Sequence, residues 1–208
     1  MNQKLNIQQR TYRLHGLTRI LGSQPADPDV RTTFLASMID PEKAEEEAKK
    51  LPLDQQKRNL TVFLRDDGCV CICDYVIKGF LKEAIRVLKS QVKVANGASK
   101  IDNQVLITPA YLVFTREGEE LDVADGDLER PLRAMTMQGP RVSVTASEYI
   151  DTPWELTFTI ALLEGEKTAR SEALTFEVIE TLLSYGEFKG LGQWRNAQNG
   201  RFTYERVE

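Results

Sequence analysis

The alternation of hydrophobic and polar residues predicts strands over much of the chain. Between residues 10 and 21, it places Tyr12 and Leu14 on one face of a strand and Arg13 and His15 on the other. Turn-forming residues separate the other predicted strands. These are a hairpin at 60–75 with its turn at Asp66–Gly68, a strand at 104–114 with Pro109 at a bulge or edge, two pieces at 130–150 around Gly139 and Pro140, and strands at 154–163 and 200–207.

Three segments are predicted to be helices. The hydrophobic repeat is clearest at residues 76–93, where Ile77, Leu81, Ile85 and Leu88 recur at helical spacing. The other two predicted helices span residues 29–51, with Asp29 as the cap and Pro41 as an interruption, and residues 172–186, with Gly186 as the stop.

The order of these elements predicts the fold class. Long helices stand between strands of antiparallel character, which is typical of an α+β protein. A ferredoxin-like or RRM-like antiparallel sheet with helices on one face is the simplest match. A chain of 208 residues suits one domain, with a hairpin inserted at about residues 115–150.

Composition bears on the compartment and on the partners. No uninterrupted apolar run approaches 18 residues, and no signal-peptide core follows the polar N-terminus, so we expect a cytoplasmic protein without a membrane partner. The net charge of −4 at pH 7 argues mildly against nucleic-acid binding. However, bases cluster in residues 78–100, 130–141 and 189–206, while residues 117–129 hold seven acids and no base. Either these runs are separate solvated faces or they hide a basic face.

Residues that could support catalysis are few. His15 is the one histidine, and Asp27 and Asp29 follow the first strand, where a turn and a helix cap are the simpler interpretation. There is no Walker A motif. Cys69 and its neighbours in CVCIC alternate on one strand face, which favours buried thiols over a metal site or disulfides. We therefore expect no catalytic residue, metal or cofactor.

The stretch GLGQWRNAQNGRF at residues 190–202, here called the glycine-rich loop, is the most unusual segment. Glycine is costly to order, so such a cluster indicates special dihedrals or close backbone approach. Two alternatives stay open. The loop is either a tight turn with Trp194 buried, or a ligand-facing loop whose Trp194 stacks on a base while Lys189, Arg195 and Arg201 meet phosphates.

Two motifs resemble the RAMP superfamily, the RNA-binding proteins of CRISPR effector complexes. The glycine-rich loop is similar to the C-terminal glycine-rich loop of that family, and VIKGFLKEAIR resembles the start of its RNA-contacting helix, although Lys78 and Phe80 depart from the family pattern. The whole chain also looks similar to small phage and prophage proteins, which would place it in the host cytoplasm. The matching positions are Gly190, Gly192, Arg195, Gly200, Arg201 and Phe202 in the first motif, and Ile77, Gly79, Leu81, Lys82 and Arg86 in the second.

The resemblance implies a non-catalytic protein that binds single-stranded nucleic acid, RNA before DNA, either alone, as a homo-oligomer or within a CRISPR-type assembly. The first alternative is a protein–protein module such as an anti-CRISPR, and the second is an endoribonuclease using His15, Asp27 or Asp29. The predicted nucleic-acid contacts are Lys78, Lys82, Arg86, Arg130, Arg133, Arg141, Lys189, Gly190, Gly192, Trp194, Arg195, Gly200 and Arg201.

Overall fold

The computed structural model describes residues 5–26, 60–136, 139–163, 165 and 171–208. The helix predicted at residues 29–51 lies outside these residues, as do Asp27 and Asp29. The described part is a mixed α+β structure built on antiparallel sheets, which confirms the predicted fold class. None of its helices is long and apolar enough to cross a membrane.

The larger sheet forms the centre of the fold. Its strand order is β13-β1-β12-β8-β6-β5, with β7 paired to β12 and β9 paired to β8. Neighbouring strands are antiparallel throughout, although only β5–β6 and β8–β9 are joined by a short hairpin turn. The strands are β1 (Ile7–Gly16), β5 (Leu64–Asp66), β6 (Cys69–Cys73), β7 (Val105–Thr108), β8 (Tyr111–Arg116), β9 (Glu119–Glu120), β12 (Glu155–Leu163) and β13 (Phe202–Arg206).

A smaller sheet carries the long hairpin. Its order is β10-β11-β4-β3, with β2 also paired to β11, and β11 and β4 run parallel. The hairpin confirms the strands predicted at 130–150 and extends them at the N-terminal end. The strands are β2 (Ile20–Leu21), β3 (Gln24–Pro25), β4 (Leu60–Val62), β10 (Gly126–Thr136) and β11 (Gly139–Ile150).

The helices of the described region pack on the larger sheet through their apolar stripes. Ile77, Leu81 and Ile85 are buried, as the predicted helical repeat requires. They join one core with the inward-facing residues of β1, β8 and β12. The helices are α1 (Asp74–Val87), α2 (Lys89–Val92), α3 (Gly97–Gln104) and α4 (Phe176–Ser184), and 3-10 turns follow at Tyr185–Glu187 and Arg195–Ala197.

The strand predicted at residues 10–21 is wrong in one respect, because the chain leaves the larger sheet after Gly16 and pairs in the smaller sheet at β2. Trp154 explains the break. Its buried ring covers Gly16, where a Cβ would lie 2.2 Å from the indole, and its Nε1 donates to the Thr18 carbonyl over 2.8 Å. The chain must bend around this side chain.

Two further elements differ from the sequence prediction. The strand predicted at 104–114 is two strands, β7 and β8, which separate at Pro109 because proline cannot donate to a ladder. Helix α3 was not predicted, since only Gly97 and Ile101 of its residues are buried and its apolar pattern is too sparse. Of the three thiols, Cys71 and Cys73 are buried and Cys69 lies at the strand start, where Sγ contacts Glu120.

Candidate nucleic-acid interface

The glycine-rich loop links helix α4 to strand β13 and lies against both sheets. Leu191 anchors it in the core, and the Leu191 amide donates to the Gly200 carbonyl over 2.9 Å. The Gly200 amide donates to Arg19 over 2.6 Å, and the Gln193 amide donates to Leu21 over 3.3 Å. The loop is therefore held by the segment that passes from one sheet to the other.

The glycines of this loop are required by contacts inside the protein. A Cβ on Gly190 would lie 2.2 Å from the Gly200 backbone, and one on Gly192 would lie 2.5 Å from the Leu21 carbonyl. Gly192 and Gly200 also have positive φ angles of 74° and 73°, which favour glycine. The close approach inferred from the sequence is thus an approach of the loop to its own protein, and the spacing of the glycines is explained without a ligand.

Trp194 is on the outer side of the loop. It is 45% exposed, so the buried alternative considered for it is wrong. The Arg130 guanidinium of β10 lies over its ring, 4.9 Å from the centroid, in the geometry of a cation–π pair. The loop and the smaller sheet therefore meet at an arginine and a half-exposed indole.

Gln193 supplies the hydrogen-bond acceptor that joins the loop to the smaller sheet. Its Oε1 accepts from Arg130 Nη2 over 3.1 Å, from Thr61 over 3.2 Å and from Ser147 over 3.4 Å. The other two Arg130 nitrogens, Nε and Nη1, are buried and meet no acceptor in the described residues. Burial lowers the pKa of Arg130 from its ordinary value, although a guanidinium stays protonated in proteins. The site thus holds a partly desolvated, incompletely paired cation.

The other bases of the loop are engaged to different degrees. Arg195 forms an ion pair with Glu83 of helix α1, so its charge is neutralised. Lys189 Nζ donates to the Asn196 side chain over 2.8 Å, and Arg201 Nε donates to the Glu187 carbonyl over 2.6 Å. Lys189 and Arg201 bond to neutral acceptors, so they keep their full positive charge at the loop surface.

Two of the three bases predicted on helix α1 bond to helix α3. Lys82 pairs with Asp102 of helix α3 over 2.7 Å, and Lys78 Nζ donates to the Asp102 carbonyl over 3.2 Å. Arg86, one turn beyond Glu83, is exposed. Helix α1 therefore meets the loop through an acid, and two of its predicted contacts serve the packing of α3.

The remaining predicted contacts lie on the long hairpin. In its register Arg133 stands opposite Val142, and Arg141 opposite Ala134. Both positions are further along the hairpin than Arg130, which stands opposite Thr145. The structure thus brings Arg130 and Trp194 together, whereas the Arg195 side chain meets Glu83 of α1, and Arg133 and Arg141 lie further along the hairpin that carries Arg130.

His15 lies between two carboxylates on the larger sheet. Its Nδ1 is 3.0 Å from Glu155 and its Nε2 is 3.3 Å from Glu205. Both ring nitrogens are therefore engaged within the protein. Across the described residues, no group of three His, Cys, Asp or Glu side chains is placed to hold a metal ion.

Several residues in or near the loop were missed in the sequence analysis. Phe188 is 81% exposed beside Tyr185, with the ring centroids 5.9 Å apart, and it precedes the basic and aromatic residues of the loop by a few positions. The contacts of Gln193 with Arg130 and of Glu83 with Arg195 could not be inferred, because the partners are distant in sequence. Phe188 alone carried a usable signal, as an apolar residue between a predicted helix stop and a lysine.

Comparisons with known proteins give only weak structural similarity. No protein-family model matches the chain, and no curated protein sequence matches it. Among solved structures it is similar to a chain from a type III-B Cmr-beta complex bound to cognate target RNA, at 10% sequence identity and a TM-score of 0.38. The match covers 96% of this chain and 60% of that chain, so this protein spans about three fifths of the neighbour's length.

Proposed function

We propose that the protein binds single-stranded nucleic acid, RNA before DNA, without catalysis, at the face made by the glycine-rich loop and strand β10. The observation that supports this most directly is the pairing of Arg130 with Trp194. A guanidinium with two buried nitrogens that meet no acceptor among the described residues lies 4.9 Å from the centre of a half-exposed indole. A phosphate would accept hydrogen bonds from the guanidinium, and a base would stack on the indole.

The electrostatic part of the proposal concerns Arg130. Two buried guanidinium nitrogens without an acceptor in the described part of the chain are unfavourable, and a charge-assisted hydrogen bond to phosphate would relieve this cost. Trp194 covers the guanidinium, and rotation of its exposed side chain would open the buried donors. Lys189 and Arg201 add two charged donors along the same loop.

The stacking part concerns the exposed aromatic residues. Bases of single strands stack on aromatic rings at about 1–3 kcal/mol each, with little dependence on sequence. Trp194 exposes nearly half of its surface, and Phe188 exposes most of its own. Such a surface suits unstacked bases, whereas paired bases in a duplex would have no free face to offer.

The direct test is a titration of labelled 12-nucleotide RNA, DNA of the same sequence, and the RNA duplex, followed by fluorescence anisotropy between 25 and 300 mM salt. We expect the single strands to bind, RNA more tightly, with affinity falling as salt rises. Failure of every single strand to bind at low salt, or affinity independent of salt, would overturn the proposal. In that case a protein–protein module, tested by pull-down with and without nuclease, becomes the better hypothesis.

Replacement of Glu83 is expected to strengthen RNA binding. Glu83→Gln removes the partner of Arg195 and frees its charge, so RNA affinity at low salt should rise several-fold and the salt slope should steepen by about 0.7. Glu177→Gln, an equal charge change on the exposed start of helix α4, serves as the control and should leave both unchanged. Weaker binding of Glu83→Gln would show instead that the ion pair positions the loop.

The assembly that the protein joins and its phage or prophage origin stay predictions. Membership of a RAMP-type assembly and a phage origin rest on sequence resemblance alone. Endoribonuclease activity is the less favoured candidate, because both nitrogens of His15 already face carboxylates. RNA recovered intact after incubation with the protein and a divalent metal is the expected outcome.

A further inference from the structure

A second basic surface lies where helices α1, α2 and α3 meet. An open cleft there is lined by Arg86, Lys89 and Lys93 and by the first turn of α3, residues 97–99. All three bases are exposed. We call Arg86, Lys89, Lys93 and this first turn the basic cleft.

The pairing pattern distinguishes the cleft from the other bases nearby. Residues 78–100 hold six bases, and Lys78, Lys82 and Lys100 bond to acceptors of the protein. The other three are Arg86, Lys89 and Lys93, and in the described part of the chain no carboxylate pairs with any of them. The unpaired charges of this region are therefore the ones that line the cleft.

Backbone packing adds donors to the same cleft. A Cβ on Gly97 would lie 2.5 Å from Ile85 Cδ1, so glycine lets the start of α3 press against α1 beside Arg86. Asn96, which precedes this helix, makes no side-chain capping bond, and the first turn carries no acid. The first amides of a helix without a cap lack intrahelical partners and favour anions. Here they reinforce a surface that three side chains already make positive.

The cleft lies close, along helix α1, to the point where the glycine-rich loop meets that helix. Glu83, which pairs with Arg195 of the loop, and Arg86, which lines the cleft, are three residues apart on α1 and thus neighbours on one helix face. A nucleic-acid strand that leaves the loop at Arg195 would reach Arg86 within one turn of helix α1, about 5 Å along its axis. Lys89 and Lys93 extend the charge in the same direction.

We infer that the basic cleft binds backbone phosphates of the single-stranded nucleic acid held by the glycine-rich loop, as a second contact that lengthens the footprint. This inference rests on the proposed function. It assigns Lys89 and Lys93 a role outside the loop. It also predicts that affinity depends on strand length, because a short oligonucleotide occupies the loop alone.

The test compares labelled oligouridylates of 5 and 12 nucleotides on the wild-type protein and on the double variant Lys89→Gln/Lys93→Gln. We expect the variant to bind the 12-mer about tenfold more weakly at low salt and its salt slope to fall by about 1.4, as for two lost single-strand contacts. Affinity for the 5-mer should stay unchanged. Arg13→Gln/Arg206→Gln removes the same charge from strands β1 and β13 and should change neither.

Three results separate this inference from the proposed function. If the wild type binds neither strand, the proposed function itself fails. If both strands bind and the double variant leaves the 12-mer unaffected, or weakens the two strands equally, the cleft is not a second contact. Poly-glutamate is added as a competitor at the same charge concentration. If it competes as strongly as the unlabelled 12-mer, the cleft binds an acidic protein partner and the inference is overturned.

Discussion

Replacement of Trp194 by alanine is expected to weaken binding of single-stranded RNA by about 5- to 150-fold, the loss of one stacked base at 1–3 kcal/mol. Trp194 is 45% exposed and lies outside the core, so the variant should fold. Trp194→Phe retains an aromatic face and should recover most of the affinity. The decrease should be similar for uridine- and adenosine-rich strands, because every base offers a face for stacking.

Tryptophan fluorescence gives this prediction an independent readout. The chain has two tryptophans, and Trp154 is fully buried while Trp194 is exposed. Addition of RNA should therefore quench the Trp194 emission and leave that of Trp154, and Trp194→Phe should abolish the change. An unaltered dissociation constant for Trp194→Ala, with its unfolding free energy close to that of the wild type, would contradict the stacking role.

Gly200→Ala is expected to cost about 3 kcal/mol or more of stability. Its φ of 73° is strained for alanine, and the added Cβ would lie 2.0 Å from the Leu191 carbonyl, a backbone atom that cannot turn aside. For a protein of this size the melting temperature should fall by about 6–12 °C. Thermal unfolding followed by circular dichroism measures the change.

Two other glycines serve as matched controls for Gly200. Gly118 has a φ of 84° and nothing near its would-be Cβ, so Gly118→Ala should cost only the left-handed strain, about 1–2 kcal/mol. Gly79 lies on helix α1 with open space around it, and Gly79→Ala should stabilise the protein by about 1 kcal/mol. If Gly200→Ala were as mild as Gly118→Ala, the tight packing of the loop would be refuted.

Local periodicity was sufficient to predict most elements of the fold. Helix α1, helix α4 and the hairpin turning at Asp67–Gly68 follow from spacing and turn chemistry, which act over a few residues. The break between β1 and β2 could not be predicted, because it depends on Trp154, more than 130 residues away in the chain. Helix α3 was not predicted, because a short helix with few buried positions lacks a clear apolar stripe.

The sequence was sufficient to predict only part of the candidate site. Charge clusters indicated where bases concentrate, but pairing decides which of them stay available to a ligand. Lys82 is bound by Asp102 and Arg195 by Glu83, whereas Lys89 and Lys93, which were not selected, are exposed in a cleft. Neither Asp102 nor Glu83 stands out in the sequence as a partner, because both contacts arise from tertiary packing.

The contact between Gly190 and Gly200 has a consequence for the recognition of distant relatives. Since the two backbones touch, selection for folding alone would retain both glycines even in homologues that bind nothing. Shared glycines would then report common ancestry of the architecture and not a common ligand. An arginine at 130 together with an aromatic residue at 194 is the better evolutionary marker of binding, because the close contact of the loop glycines requires neither side chain.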